Sequence, residues 1–113
     1  MADPIRQLEP DEGARMVAES ALLLDVREDD EWAAGHVPEA THIRLSEIPH
    51  RVEEVPRDRE VVVICRSGAR SQRAAEFLAQ QGVVAHNLAG GMRAWAAAGY
   101  DVVAADGLPG AVI

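Results

Sequence analysis

The chain of 113 residues has one cysteine, Cys65. No internal disulfide and no C-x-x-C metal or redox pair can therefore form, and any disulfide must be made with another molecule. Positive charge is also scarce. Eleven basic residues face nineteen acidic ones, a net charge of −8, which argues against nucleic acid as a main partner. No apolar run approaches the roughly 20 residues needed to span a bilayer, so no membrane partner is expected. Met1-Ala2-Asp3-Pro4 has no basic stretch leading into an apolar one. A secretory leader is not expected, and a cytoplasmic location is. His42, His50 and His86 are scattered without ligand spacing, and His36 reads as fixing a turn, so neither a metal nor a cofactor is expected. Aromatic residues are few. Trp32 and Trp95 read as core residues rather than as stacking platforms. Internal repeats and low-complexity segments are absent, and the length suits one domain, 1–113, with a modest core.

What is present centres on residues 61–82. Val61 to Ile64 is a continuous β-branched run, as expected of a strand buried on both faces of a parallel sheet. Cys65 follows at once, then Arg66-Ser67-Gly68-Ala69-Arg70. A helical pattern over 71–81 comes next, with Ala74, Phe77 and Leu78 on one face and Gly82 as its stop. The thiol thus sits where a buried strand becomes a helix, the end of an open α/β sheet at which ligands bind.

On either side the patterning is similar. Ile5 to Leu8 reads as an opening strand. Pro10 starts a helix whose buried face includes Met16 and Val17. Ala21 to Val26 is a second strand, and 28–34 a short helix closed by Gly35. His36-Val37-Pro38 turns the chain into a brief strand at Thr41-His42-Ile43. Ser46 caps a weak helix through Val55, with Pro49 either in its first turn or breaking it. Val83 to Leu88 is the last strand. Gly90-Gly91 makes a tight turn into a helix from Met92 to Ala98, stopped by Gly99, and 104–113 reads as an irregular tail. Strands alternating with helices at this spacing imply an α/β fold, a parallel sheet with helices on both faces.

A thiol attacks only as thiolate. The dipole and free N–H groups of the following helix, together with nearby guanidinium groups, are expected to favour that form. Gly68 lets successive N–H groups converge as an anion nest. Ser67 and Ser71 offer hydroxyl donors or a cap, and Arg66 and Arg70 are suited to gripping an oxyanion. Arg73 lies further along the helix and is a weaker candidate. The spacing from Cys65 to Arg70 is C-x4-R, a six-residue loop. A cysteine phosphatase carries C-x5-R, and here the next position is Ser71. The shorter cradle suits a smaller group on the cysteine, such as one extra sulfur atom.

Taken together, these blocks resemble the single-domain rhodanese family of sulfurtransferases. Asp25-Val26-Arg27, Glu31-Trp32 and Gly35-His36-Val37-Pro38 match one family signature. Val61 to Ser71 matches its active-site strand and loop, and Asn87-Leu88-Ala89-Gly90-Gly91 with Trp95 its closing turn and helix. The resemblance covers about residues 5–103. Pro38-Glu39-Ala40-Thr41-His42-Ile43-Arg44 departs from the family's usual pattern there, which bears on the local turn rather than on the chemistry.

The resemblance implies a small rhodanese-like domain with a roughly five-stranded parallel sheet. It implies that Cys65 takes sulfur from a donor such as thiosulfate as a persulfide and gives it to a thiophilic acceptor, cyanide or a cellular thiol, including a protein thiol. Arg66, Ser67, Gly68, Ala69 and Arg70 would form the substrate loop, with Asp25, Arg27, Glu31 and Ser71 supporting it. Two rivals stand beside this reading: a cysteine phosphatase or arsenate reductase on the same fold, and a non-enzymatic sulfur-carrying or regulatory module.

Overall fold

A computed structural model describes residues 4–113; the reading of Met1–Asp3 as lacking a leader lies outside the described residues. Strand β4 (Val61–Ile64) is the centre of the sheet, and its four side chains are completely buried. Successive residues point to opposite faces, so Val61 and Val63 enter one apolar cluster and Val62 and Ile64 the other. That two-sided burial is why the run does not alternate with polar residues. Strands β1 (Gln7–Leu8), β2 (Leu22–Asp25), β3 (Thr41–His42) and β5 (Ala85–Leu88) complete a parallel sheet of order β1-β5-β4-β2-β3.

Helices cover both faces. On one lie α1 (Pro10–Ala18) and α4 (Gly91–Ala97), packed through Ala14, Met92 and Trp95 against Leu23, Val62 and Leu88. On the other lies α3 (Ala69–Gln80), whose Ala74, Ala75 and Leu78 meet Leu24, Val61 and Val63. The short α2 (Asp29–Ala34) follows β2 and opens with a capping box between Glu28 and Glu31.

Several local expectations are corrected. The segment after β3 is not one helix capped by Ser46 but two 3₁₀ turns, Leu45–His50 and Val52–Glu54, the first entered from Arg44. Pro49 has no N–H to give an α ladder, while Ile48, 1% exposed, pins the turn to the core. In α1, Met16 and Val17 are only half-buried and the buried residue is Gly13, where a Cβ would come within 2.6 Å of the Leu88 side chain. Helix α3 starts at Ala69, two residues earlier than the apolar periodicity shows. Its cap, Gly68, sits at φ +109°, a left-handed conformation that glycine adopts without strain. Val83 does not open β5; its N–H still bonds Leu78 in the last turn of α3.

The tail has no helix or strand of its own but is stitched to the fold. Val103 bridges His36 and Pro109, Ala105 N–H bonds Ala33, Ala111 N–H bonds Ala34, and Val112 packs on the α1/α4 side. No helix of the described residues is long and apolar enough to cross a membrane.

Candidate active site

Cys65 leaves the carboxyl end of β4 and is 1% exposed. Its Sγ accepts hydrogen bonds from the Gly68 N–H at 3.1 Å and the Ser71 hydroxyl at 3.2 Å. Burial pushes the thiol up. The Ser71 hydroxyl and the N–H groups of Ser71, Gly68 and Ser67 outweigh it, so the net shift is below the ordinary thiol value. These donors are free because they belong to the first turn of α3 and the loop before it, where no intrahelical acceptor exists. Hydrogen bonds from the loop therefore favour the thiolate.

The two loop arginines behave differently from each other. Arg66 turns away, its Nε donating to the Ile113 main-chain oxygen at 2.9 Å. Arg70 is held by a bidentate pair with Glu31, at 2.7 and 2.8 Å. Neither is a free guanidinium closed on the sulfur; Arg66 is committed elsewhere, whereas Arg70, although tied to Glu31, still attracts a Cys65 thiolate through space. Ser67 and Ala69 are exposed on the loop. Arg73 is exposed one turn along α3, on a groove of about 490 Å³ lined by Leu45, Pro49, Phe77 and Arg70.

The Asp25 and Arg27 side chains bond each other and the Gly35 carbonyl rather than the loop. They form a fully buried pair at the end of β2, with Arg27 Nη2 donating to Asp25 at 2.8 Å and to the Gly35 carbonyl at 2.7 Å. That pair fixes the two ends of α2, which carries Glu31 to Arg70. The Arg70 guanidinium holds the Glu31 carboxyl down at about 2, against burial, which acts the other way. Because the folded value lies below the unfolded one of about 4.3, this stabilisation is present above that pH and is lost as pH falls through about 2. Glu31→Gln should thus cost about 1 kcal/mol at neutral pH. Solvent screening of the partly exposed Arg70 keeps the figure small. In urea titrations that deficit should shrink below pH 4 and vanish only below about pH 2.

Two supports of the loop were not picked out from sequence. Asn87, on β5, bonds Ser71 Oγ at 2.6 Å and the Gly68 carbonyl at 3.2 Å. An amide beside His86 in a strand of an open α/β sheet was the available signal, because a polar group buried there requires partners. The second is Gly91, read only as part of a tight turn. At φ +60° it lets α4 approach so closely that a Cβ would lie 2.4 Å from the Cys65 carbonyl oxygen. The N–H groups of Met92 and Arg93 then bond the Cys65 and Arg66 carbonyls. With its carbonyls bound on that side, the loop turns its N–H groups towards the sulfur. Gly91→Ala should cost about 2–3 kcal/mol, by strain and by displacing the loop. Gly99→Ala, also at positive φ but with open space around it, should cost about 1 kcal/mol. Thermal melts of the two variants compare them directly.

An α/β sheet with a lone cysteine in an N–H-lined loop between strand and helix defines a class of anion-handling thiol proteins. Comparison with known proteins narrows it. The rhodanese-like domain family matches residues 9–98, and the chain belongs to that family. It is 47% identical over 90 residues to a sulfurtransferase of Allochromatium vinosum, covering 79% of this chain and 84% of that protein. It is 30% identical over 91 residues to the thiosulfate sulfurtransferase GlpE of Pseudomonas entomophila, covering 80% of this chain and 84% of that one. A rhodanese-related protein of Thermoplasma volcanium superposes with a TM-score of 0.81 at 33% identity, over 87% of this chain and 97% of that one.

Proposed function

We propose that this sulfurtransferase-family protein moves sulfane sulfur from thiosulfate, or a donor of like chemistry, to a thiophilic acceptor through a persulfide on Cys65. The observation that carries the reading is the Cys65 sulfur itself, bonded by Gly68 and Ser71 inside a loop that closes into α3 after three residues. Such a cradle has donors for one small anion bonded to the cysteine.

In the first step the thiolate attacks the outer sulfur of thiosulfate. A Cys65 S–S bond forms, the donor's S–S bond breaks, and sulfite leaves with the electron pair. In the second step cyanide or a thiolate attacks the outer persulfide sulfur, and Cys65 leaves as thiolate. This is covalent catalysis with two half-reactions. Arg70, oriented by Glu31, is the candidate for steering the anionic donor, and Arg66 is a second on the outer side of the loop. The acceptor class includes a protein thiol. The net charge of −8 disfavours nucleic acid, and a lone free thiol suits the reducing cytoplasm.

Initial rates with varied thiosulfate and cyanide test the reading. Parallel double-reciprocal lines, with no turnover of an aryl phosphate, are expected. Turnover of the aryl phosphate but not of thiosulfate would overturn it.

A further inference from the structure

Ser71 has one hydroxyl proton and two neighbours that want it. Its Oγ lies 3.2 Å from the Cys65 sulfur and 2.6 Å from Asn87 Oδ1. Which one receives the proton depends on how Asn87 is oriented, and its surroundings determine that. The Gly68 main-chain oxygen can only accept, so the Asn87 amide nitrogen must face it, at 3.2 Å. The second Asn87 N–H donates to Gln7 Oε1 at 2.8 Å, and Gln7 is pinned in turn by donating to Gln72 at 2.6 Å. Asn87 therefore presents its carbonyl oxygen to Ser71 and has no proton to offer there.

While Cys65 is a thiol, every group is satisfied. The S–H donates to Ser71 Oγ, and Ser71 donates to Asn87. When Cys65 is a thiolate, the best use of the Ser71 proton is the sulfur. Taking it there leaves Asn87 Oδ1 facing an oxygen lone pair at 2.6 Å, a buried acceptor without a donor. We propose that Asn87 is a positioning residue that draws the Ser71 proton away from Cys65 and so opposes ionisation of the thiol. It acts through Ser71 and does not touch the sulfur.

The charged groups around Cys65 among the described residues are separate from this pair. Arg70 is tied to Glu31, Arg66 to the Ile113 oxygen, and Asp25 to Arg27. None bonds Asn87 or Ser71, so replacing Asn87 leaves those charges in place.

The proposal rests on Cys65 being the reacting thiol, but its test uses no sulfur donor. Because Cys65 is the only cysteine, thiolate absorbance against pH reports it once the Tyr100 contribution is subtracted with Cys65→Ser as the blank. Four proteins are titrated: wild type, Ser71→Ala, Asn87→Leu and the double variant, with circular dichroism confirming the fold of each. Asn87→Leu keeps the branched shape of the side chain at a somewhat larger volume, and Asn87→Ala replaces it if it does not fold. In the Asn87 variant the thiolate-to-thiol ratio at neutral pH should rise about three- to tenfold, the range one neutral hydrogen bond supports. In Ser71→Ala it should fall. Adding the Asn87 change to Ser71→Ala should move the titration no further. A fall or no change in the single Asn87 variant, or an equal shift with and without Ser71, overturns the proposal. Failure of wild type to take up sulfur would instead count against the sulfurtransferase reading.

Discussion

Arg27→Ala is expected to destabilise the protein by about 3–5 kcal/mol, the cost of leaving a buried charge without its partner. Both side chains of the pair are fully buried, and Arg27 supplies Asp25 with three side-chain hydrogen bonds and one from its own N–H. The truncation also empties the largest fully buried side chain among the described residues and frees the Gly35 carbonyl it binds. For a domain whose total stability is of order 5–15 kcal/mol, much of the margin disappears. Urea midpoints should show it. Replacing both members, as Asp25→Leu with Arg27→Met, should recover a large part of the loss, because no uncompensated charge remains.

Cys65→Ser should leave the fold intact and reduce sulfur transfer by at least about 1,000-fold, as removal of a covalent nucleophile does. A serine oxygen is smaller than the sulfur, so it fits the same space, and it can still accept the Gly68 N–H. It does not form a thiolate, and it does not carry a sulfur atom as a persulfide. Activity with thiosulfate and cyanide, set beside the melting curve of the same sample, separates loss of chemistry from loss of structure.

The parts of the molecule legible in the sequence were those encoded locally. Four β-branched residues followed by Cys65 identify a doubly buried strand and the loop at its end, because burial and chain direction are both written in that stretch. Gly82 and Gly99 mark helix stops for the same reason. Contacts distant in sequence were not legible. The Arg66–Ile113 bond spans 47 positions and the Arg70–Glu31 pair 39, so the loop read as two free guanidinium groups when each was already engaged. Helix α3 begins early because a left-handed Gly68 starts it, a backbone feature that apolar periodicity does not register. Gly91 was discounted as half of a Gly-Gly turn, although its role depends on how closely α4 meets the Cys65 carbonyl. Asn87 stands in the closing family block, but its support of the loop is not legible there because its three partners come from β1, the loop and α3.

The central claim is that Cys65 carries sulfur, and intact mass spectrometry of the reduced protein after incubation with thiosulfate tests it most directly. The wild type should become heavier by one sulfur atom and return to its starting mass on addition of cyanide, while Cys65→Ser stays unchanged. A folded, reduced wild type that remains unmodified by thiosulfate would contradict the account.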